Sequence, residues 1–304
     1  MNQTTKDYLQ LHLIVVIWGF TAIFGKLISL PPVELVFFRT LLAVLALFVI
    51  LKWKKISFVI KGKRDRSKIA FVGLLIAAHW VLFFLSARMA NVSVSLAGMA
   101  TASIWTGFLE PLSTKSRIRP YELVISSIAF VGMILIFSSE LAFGEAFVVA
   151  IFSAMLASAF SVINAGLTRR QDPLTLTFYE MGVSTTLLLL FFPFYQLWIA
   201  DQPLVLIPRQ EDWIFLILLS WICTVYAFSK SVELMRRLSA FSVNLSINLE
   251  PVYGILLALA IFGQHESMSG GFYLGGTLII LSVMVYPLLN RRLKRKPLEA
   301  DLMR

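Results

Sequence analysis

An apolar segment with a polar centre, in the second half of the chain, reads Ser239-Ala-Phe-Ser-Val-Asn-Leu-Ser-Ile-Asn-Leu-Glu-Pro-Val-Tyr-Gly-Ile-Leu-Leu-Ala-Leu-Ala-Ile-Phe262. It is long enough to cross a bilayer, since about 20 apolar residues at about 1.5 Å each span roughly 30 Å. Asn244 and Asn248 share a helix face, and Glu250 directly precedes Pro251. A carboxylate at that depth is costly, so we expect Glu250 to face protein or a water-filled cavity. Pro251 deprives a carbonyl one turn earlier of its donor, which predicts a kink.

An earlier segment carries the same Leu-Glu-Pro triplet, at Leu109, Glu110 and Pro111. Glu110 lies close to a basic loop, so it either lines a cavity or reaches the interface and pairs with Lys115 or Arg117. A recurring inner helix with an acid before a proline is the first sign of a duplicated membrane protein.

The composition is that of an integral membrane protein. Of the 304 residues, 58% are hydrophobic and 14% are charged, whereas a soluble domain has about 25% charged residues. The net charge of +10 comes mostly from short loops between apolar runs, which indicates membrane orientation rather than a nucleic-acid partner. A single cysteine and three scattered histidines give no disulfide framework and no metal-ligand spacing, and we expect no cofactor.

The hydropathy pattern predicts an all-α polytopic membrane protein with ten transmembrane helices. Connections between the apolar segments are short, which leaves no room for a soluble domain. The first segment lacks a signal-peptide cleavage site and is long enough to span, so we expect it to remain in the mature protein. The predicted spans are 11–28, 33–52, 68–87, 92–113, 119–137, 145–167, 173–198, 212–230, 238–262 and 271–289.

Alternate loops differ sharply in positive charge. The loops after spans two, four, six and eight and the C-terminal tail carry most of the Lys and Arg, among them Lys63, Arg117, Arg169, Arg237 and Arg292. Positive charge is retained on the cytoplasmic side. The pattern therefore predicts that both termini are cytoplasmic and that the protein lies in the cell inner membrane.

Segment openings recur along the chain and predict an internal repeat. Pro32 and Pro173 open spans two and seven, and Arg119 and Ser269 open spans five and ten, at offsets of 141 and 150 residues. The predicted units are residues 1–140 and 141–304, the second with a basic tail. Because each unit has an odd number of spans, the second inserts upside down, and the substrate site is expected between the two units near the midplane.

This arrangement resembles the EamA family of the drug/metabolite transporter superfamily. The resemblance rests on the ten-span pattern, the Leu-Glu-Pro-Val-Tyr-Gly run of span nine, Ile17-Trp-Gly-Phe-Thr-Ala-Ile-Phe-Gly25 in span one, and Phe38-Arg39-Thr in span two. It covers about residues 11–290. It implies a cavity lined by spans one to four and six to nine, with spans five and ten as scaffold. It also implies alternating access and traffic of small metabolites, often export of amino acids or related compounds.

Three charged residues within spans are the first candidates for solute binding or coupling. Glu250 is either a titratable cavity carboxylate or a packing partner of the kink at Pro251, and a proton or another ion is the expected coupling partner. Arg39 and Glu180 occupy equivalent positions, each seven residues after the proline that opens its span. They either line or gate the cavity, or else Arg39 snorkels and Glu180 pairs with Arg169 or Arg170.

Amides and aromatic rings complete the candidate set. Asn244 and Asn248 either bind solute or bridge to a neighbouring helix. A lone histidine such as His79 is more often a hydrogen-bonded structural residue than a proton relay. Seven ring-bearing residues lie within spans, away from the interfacial belts, and either line a cavity or pack between helices: Trp18, His79, Trp80, Trp105, Tyr179, Tyr226 and Tyr253.

The preferred function is a secondary transporter, with an intramembrane enzyme or a lipid-handling scaffold as alternatives. His12, His79 and His265 lie far apart, and the sequence has no convergent nucleophile and base and no G-x-x-x-x-G-K nucleotide-binding motif. These features disfavour an enzyme or an ATPase. The spacing of Gly271 and Gly275 is typical of close helix contact, either with span five or with a second protomer.

Overall fold

The computed structural model describes residues 3–90, 92–136, 144–200, 202–253 and 270–294. These residues are helical with short connections, and they contain no strand. The helices are α1 (Gln3–Leu27), α2 (Pro32–Trp53), α3 (Lys63–Met89), α4 (Val92–Met99), α5 (Ala102–Thr114), α6 (Pro120–Ile136), α7 (Gly144–Leu167), α8 (Pro173–Trp198), α9 (Asp212–Leu234), α10 (Ala240–Ile247) and α11 (Gly270–Lys294).

Within the described residues, seven helices are long and apolar enough to cross a membrane: α1, α2, α3, α7, α8, α9 and α11. A shorter apolar helix, α6, falls on predicted span five. Predicted span four falls on α4 and α5 together, and α10 forms the start of predicted span nine. Residues 254–262 of span nine, the predicted unit boundary at 140–141 and the basic tail after Lys294 lie outside the described residues. The fold is therefore polytopic and helical, while the count of ten spans stays a prediction.

The starts of α2 and α8 follow from their sequences. Both helices begin at a proline, whose fixed φ angle suits the first helical turn and whose missing N–H costs nothing there. Asp172 additionally caps α8, because its carboxylate accepts from the backbone N–H of Leu174 at 3.0 Å and of Thr175 at 3.1 Å. These two helix starts set the positions at which Arg39 and Glu180, seven residues further on, enter the bundle.

Predicted spans four and nine are both interrupted near their centres. α4 ends at Met99 and α5 begins at Ala102, with Ala100 and Thr101 between them. α10 ends at Ile247, four residues before Pro251, and helical geometry resumes at residue 250. The predicted kink is therefore present, and it places Glu250 directly after the interruption.

The middle of α9 is a π-helix, Leu218–Phe228, which the sequence did not predict. Its wider turn shows in the side chain of Thr224, which donates to the carbonyl of Leu219, five residues earlier, at 3.0 Å. π-Helical turns are rare and frequently occur at functional sites. Here the turn presents Cys223 and Thr224 to α1 and α2, as described below.

The α6–α11 contact explains the glycine spacing in predicted span ten. A Cβ atom on Gly132 of α6 would lie 2.7 Å from the backbone oxygen of Gly275 of α11, so neither position has room for a side chain. Of the two alternatives for this motif, contact with span five is therefore confirmed. The face of α11 that carries Gly275 is already occupied and does not support a homodimer through that residue.

Three aspartates near helix starts tie the connections to the bundle. Asp65 of α3 accepts from Arg170 Nη2 at 2.8 Å, Arg170 Nε at 3.1 Å and Gln171 Nε2 at 2.9 Å. Asp7 accepts two bonds from Arg237, each at 2.8 Å. Asp212 of α9 accepts from the backbone N–H and the hydroxyl of Ser29, both at 2.7 Å. Each carboxylate thus fixes the end of another helix.

Candidate functional site

A cavity of about 90 Å³ lies between the described parts of α1, α2, α3, α4, α5, α7, α9 and α10. One water needs about 10–15 Å³ by the same measure, so the cavity has room for several waters or a small solute. Its lining is mainly aromatic and apolar, with a few polar groups. The polar and ring-bearing residues that line it are Trp18, Thr21, Arg39, His79, Trp80, Phe83, Phe160, Ser161, Asn164, Phe228, Ser231, Asn244 and Glu250.

Arg39 does not snorkel to the surface but lies inside the bundle, with 3% of its surface exposed. Its guanidinium carbon lies 3.7 Å above the centre of the Trp80 ring, a cation–π contact. Its Nε donates to the hydroxyl of Thr224 at 2.8 Å. Among the residues that the structure describes, no carboxylate oxygen lies within 4.0 Å of its nitrogens. A cation is thus buried at the cavity and held by a ring and a hydroxyl rather than by an anion.

Glu250 lines the same cavity and is 8% exposed. The hydroxyl of Thr21 lies 3.2 Å from Glu250 Oε1 and 2.6 Å from the carbonyl oxygen of Trp18. A hydroxyl has one hydrogen to donate, so it serves only one of these acceptors at a time. If Thr21 donates to the nearer carbonyl, its oxygen remains free to accept a hydrogen from a protonated Glu250. The geometry therefore accommodates both a charged and a neutral carboxyl.

Asn244 and Asn248 bridge α10 to α5. Asn244 Nδ2 donates to the hydroxyl of Thr106 at 2.7 Å, and Asn248 Nδ2 donates to the hydroxyl of Ser103 at 3.2 Å. Asn244 also accepts from Ser161 at 3.4 Å and lines the cavity. The contacts fit the helix-bridging alternative for both residues, while Asn244 also faces the cavity.

The rings at the cavity come from four helices. Trp18 donates from Nε1 to the carbonyl of Cys223, in the π-helical turn, at 2.9 Å. Phe228 lies between Trp80 and Phe160, with ring centres 6.0 and 5.9 Å away. These contacts give the cavity an apolar wall whose ring faces also attract cations.

His79 lines the cavity but has partners of its own. Its Nδ1 lies 3.0 Å from the carbonyl oxygen and 2.8 Å from the hydroxyl of Ser153, and that hydroxyl also reaches the carbonyl of His79 at 2.9 Å. These bonds join α3 to α7. The contacts fit the structural role given above to a lone histidine.

Glu180 is fully buried behind the cavity wall, at 0% exposure. Its only side-chain hydrogen bond among the described residues comes from Asn164 Nδ2 to Oε2, at 3.4 Å, and its Oε1 has no partner. Arg170 pairs with Asp65 instead. The alternative in which Glu180 pairs with Arg169 or Arg170 is thus not observed among the described residues, and the guanidinium of Arg170 is bound to α3.

The side chain of Glu110 caps the start of α10. Its Oε2 accepts from the backbone N–H of Phe241, in the first turn of that helix, at 2.9 Å. A carboxylate is favourable there because the helix N-terminus carries partial positive charge and unpaired N–H groups. The structure thus gives Glu110 a helix-capping contact, which neither sequence-based alternative included, and buries Pro111 within α5 beside it.

Four of the predicted aromatic residues are not among those that line the cavity. Tyr179 donates to the carbonyl of Phe58 at 2.8 Å, and Tyr253 bonds to His12 at 3.0 Å. Tyr226 is 43% exposed on the outside of the π-helical turn. Trp105 is half-buried in α5, and its ring N–H has no partner among the described residues.

Sequence reasoning missed several lining residues, among them Thr21, Asn164 and Phe228. Asn164 carried a signal, since an amide in the last turn of an otherwise apolar span is unusual. Thr21 and Phe228 carried none, because a hydroxyl or a phenyl ring within a span is common.

The apolar helices thus surround a cavity that contains both a cation, Arg39, and an acid, Glu250. The family model of the EamA-like transporter family matches residues 6–138 and 145–286, and the chain belongs to that family. It is therefore a multi-pass membrane protein, and a small-molecule solute is the partner that the family implies.

Two comparisons agree with this assignment. The chain is 26% identical, over 294 residues, to a protein of Archaeoglobus fulgidus named as an uncharacterized transporter, and the match covers 92% of this chain and 96% of the relative. It is also similar to a protein of known crystal structure, with a TM-score of 0.75 and 16% identity over 95% of this chain and 99% of the other. The latter likeness concerns the fold alone.

Proposed function

We propose that this protein is a secondary transporter that exports amino acids or related small metabolites by alternating access. The observation that carries the proposal concerns two residues of opposite charge, Arg39 and Glu250. Both are buried at one cavity, and neither has an ion-pair partner among the described residues. Buried charges are normally paired, so a solute that brings the opposite charges completes the site.

The chemistry of the cavity selects a zwitterion. A solute carboxylate would bind the guanidinium of Arg39, which has donors in a planar fork suited to it. A solute ammonium group would bind Glu250, and its apolar portion would lie against Trp80, Phe160 and Phe228. The volume of about 90 Å³ fits a small solute of this kind.

The proposed coupling ion is a proton at Glu250. Removal of a proton makes the carboxylate a partner for the solute ammonium group, and its return allows Glu250 to donate to Thr21 instead. Proton and solute then compete for one carboxyl, which is a sufficient basis for exchange of the two across the membrane.

The proposed architecture is ten spans in two inverted units, residues 1–140 and 141–304. Helix contacts support it, because the pairs α1–α9, α2–α9 and α1–α10 have counterparts in α7–α3, α8–α3 and α7–α4 under exchange of the units. The interruptions at Thr101 and Asn248 and the clamps at Asp65 and Asp212 also recur, each at an offset of 147 residues. An inverted pair of units gives two access routes to one central site.

The proposed orientation places both termini in the cytoplasm of the cell and the protein in its inner membrane, following the charge of the loops. The cavity lining reaches Asn164, three residues before the end of α7, and Met235, directly after α9. Both helix ends lie beside Arg-rich loops. In this orientation these lining residues lie towards the cytoplasmic side, from which an exported solute would enter, and the proposed direction itself follows the family resemblance.

The test is solute exchange by purified protein in liposomes, with a panel of amino acids and their amide and decarboxylated analogues. Glu250→Gln keeps the size and hydrogen-bonding capacity of the side chain, so the variant should fold, bind solute weakly and lose its response to an imposed pH gradient. Arg39→Lys should lower affinity for carboxylate solutes by about 10- to 150-fold, since a hydrogen bond to a charged group contributes about 1.5–3 kcal/mol.

Glu233→Gln is the matched control, because Glu233 pairs with Lys230 at 2.8 Å and does not line the cavity. It should transport as the unaltered protein does. Identical pH profiles for Glu250→Gln and the unaltered protein would remove the coupling role and leave Glu250 as a packing residue. Equal affinity of Arg39→Lys for a carboxylate solute and its amide analogue, with no loss relative to the unaltered protein, would reject the zwitterion site.

A further inference from the structure

The contact between Asn164 and Glu180 leaves one oxygen atom of each side chain without a partner. Asn164 Nδ2 donates to Glu180 Oε2 at 3.4 Å, while Asn164 Oδ1 and Glu180 Oε1 are buried and unpaired among the described residues. Both side chains have 0% exposure. Buried polar atoms are normally hydrogen-bonded, so two unpaired acceptors in one contact require an explanation.

An ionised Glu180 leaves both oxygen atoms without a donor, because a carboxylate only accepts hydrogen bonds and the amide oxygen also only accepts. A neutral Glu180 resolves it with one hydrogen atom. The hydroxyl at Oε1 donates to Asn164 Oδ1, while Asn164 Nδ2 donates to Oε2. The two side chains then form a closed acid–amide pair in which each polar atom at issue has a partner.

Among the residues that the structure describes, no cation forms an ion pair with Glu180 that would hold it ionised. α8 packs against α2, α3 and α9. Gly73 of α3 lies level with Glu180, since a Cβ there would lie 2.8 Å from the carbonyl oxygen of Glu180, and the nearest titratable groups on α3 are five and six residues away. The charged or titratable groups on these helices nearest to the level of Glu180 are Arg39 and Lys52 on α2, Lys68 and His79 on α3, and Lys230 and Glu233 on α9.

These groups are engaged elsewhere or lie towards the ends of their helices. Arg39 is bound to Trp80, His79 to Ser153, and Lys230 to Glu233. Among the described residues Glu180 takes part in no ion pair. Burial without a counter-ion favours the neutral form of a carboxyl group.

We propose that Glu180 is a second proton-binding site, separate from Glu250, which carries its proton in a two-hydrogen-bond pair with Asn164. The proton comes from water and returns to it, and no other bond changes. Asn164 also lines the cavity. Loss of the proton frees its amide oxygen to accept from a solute N–H group, so the proton on Glu180 and a solute donor compete for one atom. This last consequence rests on the proposed transport function, whereas the proton site does not.

The direct test is infrared difference spectroscopy of the full-length protein in lipid. The carbonyl stretch of a protonated carboxylic acid should be present at neutral pH and should lose one component in Glu180→Gln. Asn164→Leu removes both hydrogen bonds but keeps Glu180, so the component should persist and shift in frequency. Glu233→Gln, which removes a partly exposed, ion-paired acid, should leave the band unchanged.

Thermal unfolding across a pH series gives a second measurement. Glu180→Gln reproduces the neutral acid, since its amide can donate to Oδ1 and accept from Nδ2 of Asn164. In the unaltered protein the folded state keeps a proton that the unfolded chain loses at about pH 4.3, the ordinary value for a glutamate. The stabilisation by the pair is therefore complete below that pH and declines as the pH rises above it. The thermal midpoint should therefore fall as the pH is raised from about 4.3 until the folded protein also loses the proton, and this component of the fall should be missing in Glu180→Gln.

Three results would overturn the proposal. One is an infrared band that is the same in the unaltered protein and in Glu180→Gln. Another is an equal fall of the thermal midpoint in both proteins as the pH is raised from acidic values. The third is stabilisation by sodium chloride but not choline chloride that Glu180→Gln abolishes, which would assign a metal cation to the contact. If the band is found while the liposome assay detects no transport, the proton site stands and the transport proposal fails.

Discussion

The crossing of α6 and α11 allows a prediction whose size follows from the distances. Gly132→Ala adds a Cβ that would lie 2.7 Å from the carbonyl oxygen of Gly275 and 3.1 Å from side-chain atoms of Leu278 and Ile279. Ordinary contacts begin at about 3.4 Å, so the two helices must separate by roughly 0.7 Å. Overpacking of this kind costs about 1–3 kcal/mol. Against it stands a gain of up to about 1 kcal/mol from the higher helix propensity of alanine.

A second glycine provides a control for the gain in helix propensity. Gly182 lies within α8, and a Cβ there would meet nothing within 4 Å. Gly182→Ala should therefore receive the same gain in helix propensity without the crowding. The free energy of unfolding should be lower for Gly132→Ala than for Gly182→Ala by about 1–3 kcal/mol.

Thermal unfolding of both variants in the same detergent, followed by tryptophan fluorescence, measures the difference. Gly132→Ala should unfold at a lower temperature than the unaltered protein or close to it, and Gly182→Ala at a higher one. Solute affinity should be unchanged in Gly132→Ala, because neither Gly132 nor Gly275 lines the cavity. Equal midpoints for the two variants would show that α6 and α11 are not in close contact, and the role of Gly275 would then have to be sought elsewhere.

Two further predictions concern the inner clamp and the orientation. Asp65→Asn should lower the thermal midpoint, because the carboxylate accepts three hydrogen bonds from Arg170 and Gln171. The expected loss in the free energy of unfolding is about 1–2 kcal/mol, which allows for the exposure of Arg170. A midpoint equal to that of the unaltered protein would contradict this prediction. A cysteine placed at Lys63 in a Cys223→Ala background should resist a membrane-impermeant thiol reagent in intact cells and react after lysis, and strong labelling of intact cells would reverse the proposed orientation.

Much of the helical fold could be predicted because a span has to be predominantly apolar over about 20 residues. The cost of an exposed polar backbone in lipid makes the helical state obligatory, so apolar length alone identifies most segments. Proline positions were equally informative, since Pro32, Pro173 and Pro251 each mark a helix start or an interruption. The π-helical turn within Leu218–Phe228 has no glycine or proline and arises from packing between helices, so no local pattern predicts it.

For the candidate site, too, the sequence predicted some features and not others. Arg39 and Glu250 could be singled out because a charge within a span is costly wherever it lies. Their partners could not be predicted, since a contact such as that of Arg39 with Trp80 depends on how α2 and α3 are rotated about their axes. Glu110 shows the limit most clearly, because its position in the sequence indicated either a cavity role or a pairing with nearby basic residues, whereas its carboxylate accepts from a backbone N–H of α10.

The two aspartate clamps connect the architecture to the proposed transport cycle. Asp65 and Asp212 are 147 residues apart, and each stands in the first turn of its helix and binds the segment that follows a helix of the other unit. In the proposed inverted arrangement α3 and α9 begin on opposite sides of the membrane, so the clamps lie at opposite ends of the cavity. Alternating access requires that one end opens while the other remains closed.

The clamps differ in composition, since Asp65 binds a guanidinium and an amide whereas Asp212 binds the backbone N–H and the hydroxyl of Ser29. Because the two closures are built from different donors, we expect the free energies of opening at the two ends to differ, so that one direction of access is favoured.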